Sequence, residues 1–169
     1  MNHTETDKLL EAIHVVESFV DNPKKGLPQS VFYFITRLTP MVNVDLLIKD
    51  KNNRTLLAWR DDEFAGAGWH VPGGIVRYKE TLEQRIQQVA LTEIGQKVQY
   101  DSKHIALNEI HRTHSTRGHF ISFLYSCSIG DAFVPNNEGL KRTDAGYLAW
   151  HERCPDNLIA VHKMYQHFI

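Results

Sequence analysis

The chain has 169 residues and a formal net charge of −1, with 42% hydrophobic and 23% charged residues. That length suffices for one domain with a hydrophobic core and is too short for two of ordinary size. The near-zero charge gives no general attraction to nucleic acid, no apolar run reaches the length of about 18 residues of a membrane span, and the polar N-terminus is unlike a signal peptide. Two cysteines are too few for a disulfide framework. We therefore expect a cytoplasmic protein without a nucleic-acid or membrane partner.

The first forty residues predict two helices. An apolar stripe at helical spacing indicates a helix over residues 5–20, and it consists of Leu9, Leu10, Ile13, Val16 and Phe19. A second, shorter helix is predicted from Leu27 to about Leu38, with Pro28 near its first position. This prefix could form a dimer contact or a lid, although packing against the rest of the domain is the commoner arrangement.

The remainder of the chain alternates strand signals with helices. Alternating or apolar runs predict strands over residues 41–48, 55–59, 97–100, 105–112, 120–129 and 146–150, and residues 65–68 read as a small-residue loop. Helices are predicted from Thr81 to Gly95 and from Asn157 to Phe168, the second with Asp156 as N-cap. The pattern favours an α+β fold, an α/β/α sandwich with a mixed sheet. We divide the chain into a helical extension, 1–38, and one domain, 39–169.

The predicted structure centres on a glycine loop and the helix that follows it. Gly73 and Gly74 allow a ligand to approach bare backbone, and Gly95 occupies a C-cap position. Glu93 falls within the apolar stripe of this helix, in the last turn, where the helix dipole disfavours an acid. An acid on a buried face at that end of a helix requires a cation as partner, which could be an arginine or a divalent metal.

This segment resembles the Nudix box. Gly74 is followed after five residues by Glu80, and after seven more comes Gln88-Val89-Ala90-Leu91-Thr92-Glu93-Ile94-Gly95. The glycines and the first and last acids match the box, whereas Gln88-Val89 replaces Arg-Glu and Thr92 replaces another acid. Among Nudix families the chain is most similar to the GDP-mannose mannosyl hydrolases.

That resemblance implies a Nudix-type sandwich and a metal site. It places Mg²⁺ on Glu93 and on the carbonyl oxygen of Gly73, and the missing acids at Val89 and Thr92 imply one ion. Magnesium usually retains several waters, so two protein ligands are sufficient. Without the box arginine, Glu80 would accept an amide hydrogen bond or turn to Arg85.

The resemblance also implies substrate residues. Asp45 and Arg60 match residues of the family's substrate site, where an arginine suits a diphosphate. The alternative for Arg60 is an ion pair with the acids at 61–63. The family arginine after Gly-Gly is Ile75 here, and Arg77 is a candidate substitute.

The group that activates water is less well defined. The family's histidine and its metal-binding glutamine lie on a late loop that aligns with Thr143 and Asp144. Asp144 could act as a base or a ligand. The histidines at positions 111, 114 and 119, around a predicted hairpin, are alternatives because imidazole titrates near neutral pH.

Together these features favour an Mg²⁺-dependent hydrolase of a nucleoside-diphosphate sugar, of the GDP-mannose type, releasing sugar and nucleoside diphosphate. Two alternatives remain: a pyrophosphatase that attacks phosphorus, and a nucleotide-sugar-binding domain without catalysis. The family resemblance and the helical prefix also predict a homodimer.

Overall fold

The computed structural model describes residues 3–113 and 116–169, which fold around one eight-stranded mixed sheet. In chain order the elements are α1 (His3–Ser18), a 3-10 turn (Pro23–Lys25), α2 (Gln29–Thr36), β1 (Met41–Lys49), β2 (Thr55–Asp62), β3 (Gly66–His70), β4 (Gly73–Ile75), α3 (Leu82–Val89), a π-helical turn (Ala90–Ile94), β5 (Gln99–Tyr100), β6 (Ala106–His111), β7 (His119–Ser128), β8 (Leu148–His151) and a 3-10 helix (Ala160–Tyr165). None of the described helices is both long and apolar enough to cross a membrane.

The sheet is mixed because its two central strands are parallel and their neighbours are antiparallel. The strand order is β3-β2-β1-β7-β5, and β1 runs parallel to β7 along its whole length. Strands β4, β8 and β6 pair antiparallel with β1, β2 and β7, respectively. The α+β sandwich with a mixed sheet is thus confirmed.

Each face of the sheet carries its own apolar core. Alternate residues of β1 point to opposite faces, so Val44, Leu46 and Ile48 pack under Ile86 and Val89 of α3. Leu47 points the other way and joins the second core, whose buried members include Leu57, Trp59, Trp69, Leu124, Leu158 and Tyr165. Trp59 and Trp69 therefore serve packing.

Several sequence predictions are wrong in detail. The stretch predicted as a closing helix, Asn157 to Phe168, contains only the 3-10 helix Ala160–Tyr165. Leu158 forms a β-bridge to Trp69, and the Ile159 N–H donates to the Trp69 carbonyl. Because the residues before Ala160 pair with β3 in this way, they do not form a helix. The predicted small-residue loop at 65–68 largely belongs to β3, which pairs with β2. The small residues make that strand possible, because a Cβ at Gly68 would collide with the Asn157 carbonyl.

The prediction that the helical prefix packs against the domain fails for α1. Its apolar residues are exposed: Leu9 by 48%, Leu10 by 49%, Ile13 by 42% and Phe19 by 67%. In contrast, α2 contacts the rest of the molecule. The Tyr33 and Phe64 rings lie 5.9 Å apart, and the Thr36 hydroxyl accepts the Arg117 N–H.

Candidate active site

The glycine loop is held against the central strand of the sheet. Gly73 and Gly74 lie in β4, opposite Asp45 and Val44 of β1. A Cβ at Gly73 would collide with the Asp45 carboxylate, and one at Gly74 would come within 2.8 Å of Val89 on α3. Both glycines are therefore required by close packing between β1, β4 and α3.

The helix after the loop begins and ends as the sequence predicts. Thr81 and Gln84 form a capping box, in which each side chain bonds to the backbone N–H of the other. Gly95 ends the segment with a left-handed φ of 80°. Between them, the last turn widens into a π-helical turn that contains Glu93.

Glu93 turns towards the glycine loop and is 27% exposed. One carboxylate oxygen accepts the Gly73 N–H at 3.3 Å, and the other lies 3.2 Å from Nε2 of His70. Each carboxylate oxygen makes one contact and has two lone pairs, so the carboxylate can bind a further partner. The sequence left an arginine or a divalent metal as the partner of Glu93. No arginine among the described residues forms an ion pair with it.

Glu80 is held by Arg85, one of the two arrangements considered from sequence. Arg85 donates to both oxygens of Glu80, at 2.8 and 2.9 Å, and is almost fully buried. The Arg77 N–H donates to the same carboxylate at 2.8 Å. Glu80 therefore closes the loop and positions the start of α3.

A cavity of about 520 Å³ opens beside the glycine loop. Its walls come from the loop, from β1 and β2, from the β6–β7 hairpin and from the segment before α2. The lining residues on which the argument depends are Leu27, Phe32, Asn43, Asp45, Arg60, Asp62, His70, Gly73, Gly74, Arg77, Arg112, Arg117 and His162. This volume is typical of small-molecule sites.

Three arginines crowd one part of this cavity, and we call Arg60, Arg112 and Arg117 the arginine cluster. Burial lowers the pKa of Arg117, the neighbouring charges of Arg60 and Arg112 lower it further, and Asp62 opposes them. Arg60 forms an ion pair with Asp62 at 2.7 Å and also lines the cavity. The ion pair is therefore compatible with a position in the cavity. A bound anion would relieve the repulsion within the cluster.

Aromatic rings hold Arg117 in place. Its guanidinium carbon lies 4.7 Å from the centre of the Phe64 ring and 5.6 Å from that of Phe32. Phe32 belongs to α2, so the helical prefix contributes to the wall of the cavity.

Asp45 is buried on the cavity floor. Tyr165 and Asn43 donate to its carboxylate at 2.7 and 2.9 Å, and Ser122 donates as well. Burial raises the pKa of Asp45, and these hydrogen bonds oppose the rise. Its two oxygens are therefore fixed in direction beside Gly73.

Two histidines that the sequence did not single out lie in the cavity wall. His162 accepts the Val71 N–H through Nδ1 at 2.9 Å, and burial lowers the pKa of His162 well below its usual value. It is therefore neutral, with its proton on Nε2. His70 lies 6.1 Å from it, ring to ring, and contacts Glu93. No local sequence pattern marks either residue, since their partners are distant in the chain.

Of the other site residues that were predicted from the sequence and that the structure describes, one lines the cavity and the rest do not. Arg77 lines the cavity and also donates to the Lys24 carbonyl at 3.2 Å. Asp144 is not among the described residues that line the cavity, and its carboxylate accepts the Lys141 N–H within a turn. His111 and His119 lie on the opposite face of the hairpin from the cavity, and His114 lies outside the described residues.

The fold and this site define a class of proteins in which a glycine loop lies beside a mixed sheet and is followed by a helix whose last turn returns an acid, here Glu93, to the loop. The NUDIX domain family model matches residues 39–153, and the chain belongs to the Nudix family.

One curated relative is the low-salt glycan biosynthesis protein Agl8 of Haloferax volcanii, 30% identical over 115 residues, which are 66% of this chain and 73% of that protein. Among solved structures, the MutT protein of Methanosarcina mazei Go1 matches with a TM-score of 0.58 at 18% identity, over 77% of this chain and 91% of that one. A NUDIX hydrolase of Nitrosomonas europaea matches with a TM-score of 0.54, also at 18% identity, over 67% and 72%. Both structures share the fold.

Proposed function

We propose that this Nudix hydrolase is an Mg²⁺-dependent hydrolase of a nucleoside-diphosphate sugar of the GDP-mannose type, releasing sugar and nucleoside diphosphate. The observation that carries the proposal is that one cavity contains both the arginine cluster and the glycine loop to which Glu93 is bonded. A diphosphate requires cations on several sides, and arginine is shaped to bind its oxygens. Similarity to a protein named for glycan biosynthesis supports a sugar as the second part of the substrate.

The residues around Glu93 fit a magnesium ion. Nudix hydrolases generally use divalent metals, and hard oxygen donors are what Mg²⁺ prefers. Glu93 would supply a carboxylate oxygen, and Gly73 would supply its carbonyl. The contacts of Glu93 with Gly73 and His70 use one lone pair on each oxygen, so the carboxylate can still bind an ion. When bound, the ion would neutralise charge on the diphosphate.

The chain's own residues supply the remaining chemistry. Cleavage of the bond between the anomeric carbon and oxygen leaves negative charge on the diphosphate, where Arg60 and Arg117 would stabilise it. Arg77 would contribute from the loop, and Asp45 would bind the substrate with an oxygen of fixed direction. For the group that receives the proton of water, we propose His70 in place of Asp144, because His70 lies in the cavity wall and contacts Glu93.

The test is a product analysis of GDP-, UDP-, ADP- and dTDP-sugars incubated with the protein, with and without Mg²⁺. Free sugar and nucleoside diphosphate would support the proposal. Sugar phosphate and nucleoside monophosphate would replace it with attack at phosphorus. Binding of a nucleotide sugar without any turnover would instead identify a non-catalytic binding domain.

Glu93→Gln tests the metal assignment. Loss of the charge that would hold the ion should reduce Mg²⁺-dependent turnover by more than about 100-fold. Replacing even a residue that only orients a metal ligand lowers metal affinity or activity by about 10- to 100-fold. Glu152→Gln, a substitution of an exposed acid outside the cavity, is the matched control and should retain activity. Full activity of Glu93→Gln would refute the assignment.

We also propose that two chains associate through α1, and that residues 1–38 form an extension to a domain of residues 39–169. The exposed apolar face of α1 supports the first proposal. The contact of α2 with Phe64 and Arg117 indicates that the extension also shapes the cavity.

A further inference from the structure

The β6–β7 hairpin presents a second group of polar side chains, on the face away from the cavity. Ile110 and Phe120 are paired across the hairpin and line the cavity. Successive residues of a strand point to opposite faces. Glu109, His111 and His119 therefore project from the other face, and we call them the hairpin cluster.

The hairpin cluster has the geometry of a metal site. His111 and His119 are directly opposite each other in the register of the two strands. Their Nε2 atoms lie 3.3 and 3.7 Å from the same oxygen of Glu109, and one potential ligand atom from each residue falls within 4.8 Å of the others. In a tetrahedral zinc site with bonds of about 2.0–2.2 Å, ligand atoms are about 3.3–3.6 Å apart. Small side-chain rotations would bring the three atoms onto one ion.

The donor set selects the kind of metal. Two imidazoles and one carboxylate suit zinc, copper or nickel, whereas magnesium prefers oxygen ligands. The side chains of Glu109 and His111 are 61% and 65% exposed, so an ion can approach from their side of the cluster. Nε2 of His119 is itself buried and has no hydrogen-bond partner among the described residues, so it is available as a ligand. A divalent ion would also place a fixed positive charge beside the Glu109 carboxylate.

We propose that the hairpin cluster binds one divalent transition-metal ion of the zinc type through Glu109, His111 and His119, with water completing its coordination. The site is separate from the one around Glu93, because it lies on the opposite face of the hairpin from the cavity. An ion there joins β6 to β7 near Arg112 and Arg117. Zinc therefore stabilises the end of the hairpin that forms part of the cavity wall.

The test is calorimetric titration of untagged protein with Zn²⁺ in excess Mg²⁺, with Glu93→Gln titrated in parallel to remove any contribution from the cavity. We expect one equivalent of zinc to bind in both proteins, and the melting temperature to rise with zinc concentration because zinc binds the folded state. His111→Ala and His119→Ala should each weaken zinc binding by more than about 100-fold. Loss of a direct ligand lowers metal affinity by more than loss of a residue that only orients a ligand, which costs about 10- to 100-fold.

His104→Asn is the matched control, because it removes an exposed histidine just before β6 that lies outside the cluster. Glu109→Gln tests the carboxylate without removing an imidazole and should also weaken binding. Circular dichroism in the absence of zinc checks that each variant is folded. Unchanged zinc affinity in both His111→Ala and His119→Ala, or an equal loss in His104→Asn, would overturn the proposal.

Discussion

At the scale of single residues, Arg85 shows how the degenerate box keeps its loop closed. The box arginine is replaced by Gln88, which instead donates to Thr92 at 3.0 Å. Arg85 lies three residues earlier, one turn away on the same side of the helix. From there it reaches both oxygens of Glu80. The substitution therefore moves the arginine by one turn without removing the ion pair.

His162 provides a prediction of how stability depends on pH. Burial lowers its pKa well below the unfolded value of about 6.5, and the charges of His70 and Arg60 add to the effect. Between these two pKa values the unfolded chain binds the proton more tightly, so the free energy of unfolding falls as the pH falls below about 6.5. Above that pH, His162 is neutral in both states and contributes no pH dependence.

We therefore expect the melting temperature of the wild type to fall more steeply between about pH 7 and pH 5 than that of His162→Asn. Asparagine does not titrate, and its side-chain oxygen can still accept the Val71 N–H. Scanning calorimetry of both proteins across this range makes the comparison. Parallel curves would show that His162 is not the group responsible.

At the scale of elements, the start of α3 is set by its N-cap residue, Thr81. Thr81 accepts the Gln84 N–H at 3.1 Å, and the Gln84 side chain accepts the Thr81 N–H at 2.9 Å. These bonds satisfy two donors that a helix leaves without partners at its start. The same cap fixes the position of Glu80, which precedes it.

Thr81→Ala should therefore lower the free energy of unfolding by about 1 kcal/mol, the usual value of an N-cap side chain. Urea denaturation measures the change. Thr92→Ala is a matched control, because its hydroxyl is exposed and accepts from the Gln88 side chain, and it should cost less than about 0.5 kcal/mol. Equal costs for the two variants would contradict the role of the cap.

At the scale of the whole molecule, the exposed face of α1 is the feature that the single chain leaves unexplained. Contiguous exposed apolar residues commonly mark an interaction surface. We expect the untagged protein to be a dimer by light scattering, and the double variant Leu10→Glu, Ile13→Glu to be a monomer, because two carboxylates would be buried at the interface.

Glu11→Lys, on the opposite side of the same helix, is the control and should remain dimeric. If the wild type is a monomer at every concentration tested, association through α1 is refuted. If the double variant remains a dimer, the two chains associate through another surface.

The sequence by itself determined the glycine loop, the limits of the helix after it and the position of Glu93, because these depend on contacts within about one to three helical turns. It also predicted most strands, since alternation is a local property. It misjudged residues 157–168, where pairing with Trp69 outweighs helical spacing. Only the tertiary structure decided which distant residues meet: the arginine cluster, the contact of His70 with Glu93, and the separation of Asp144 from the cavity. The register of β6 and β7 likewise decides that His111 and His119 face away from the cavity, because a shift of one residue would reverse every side chain.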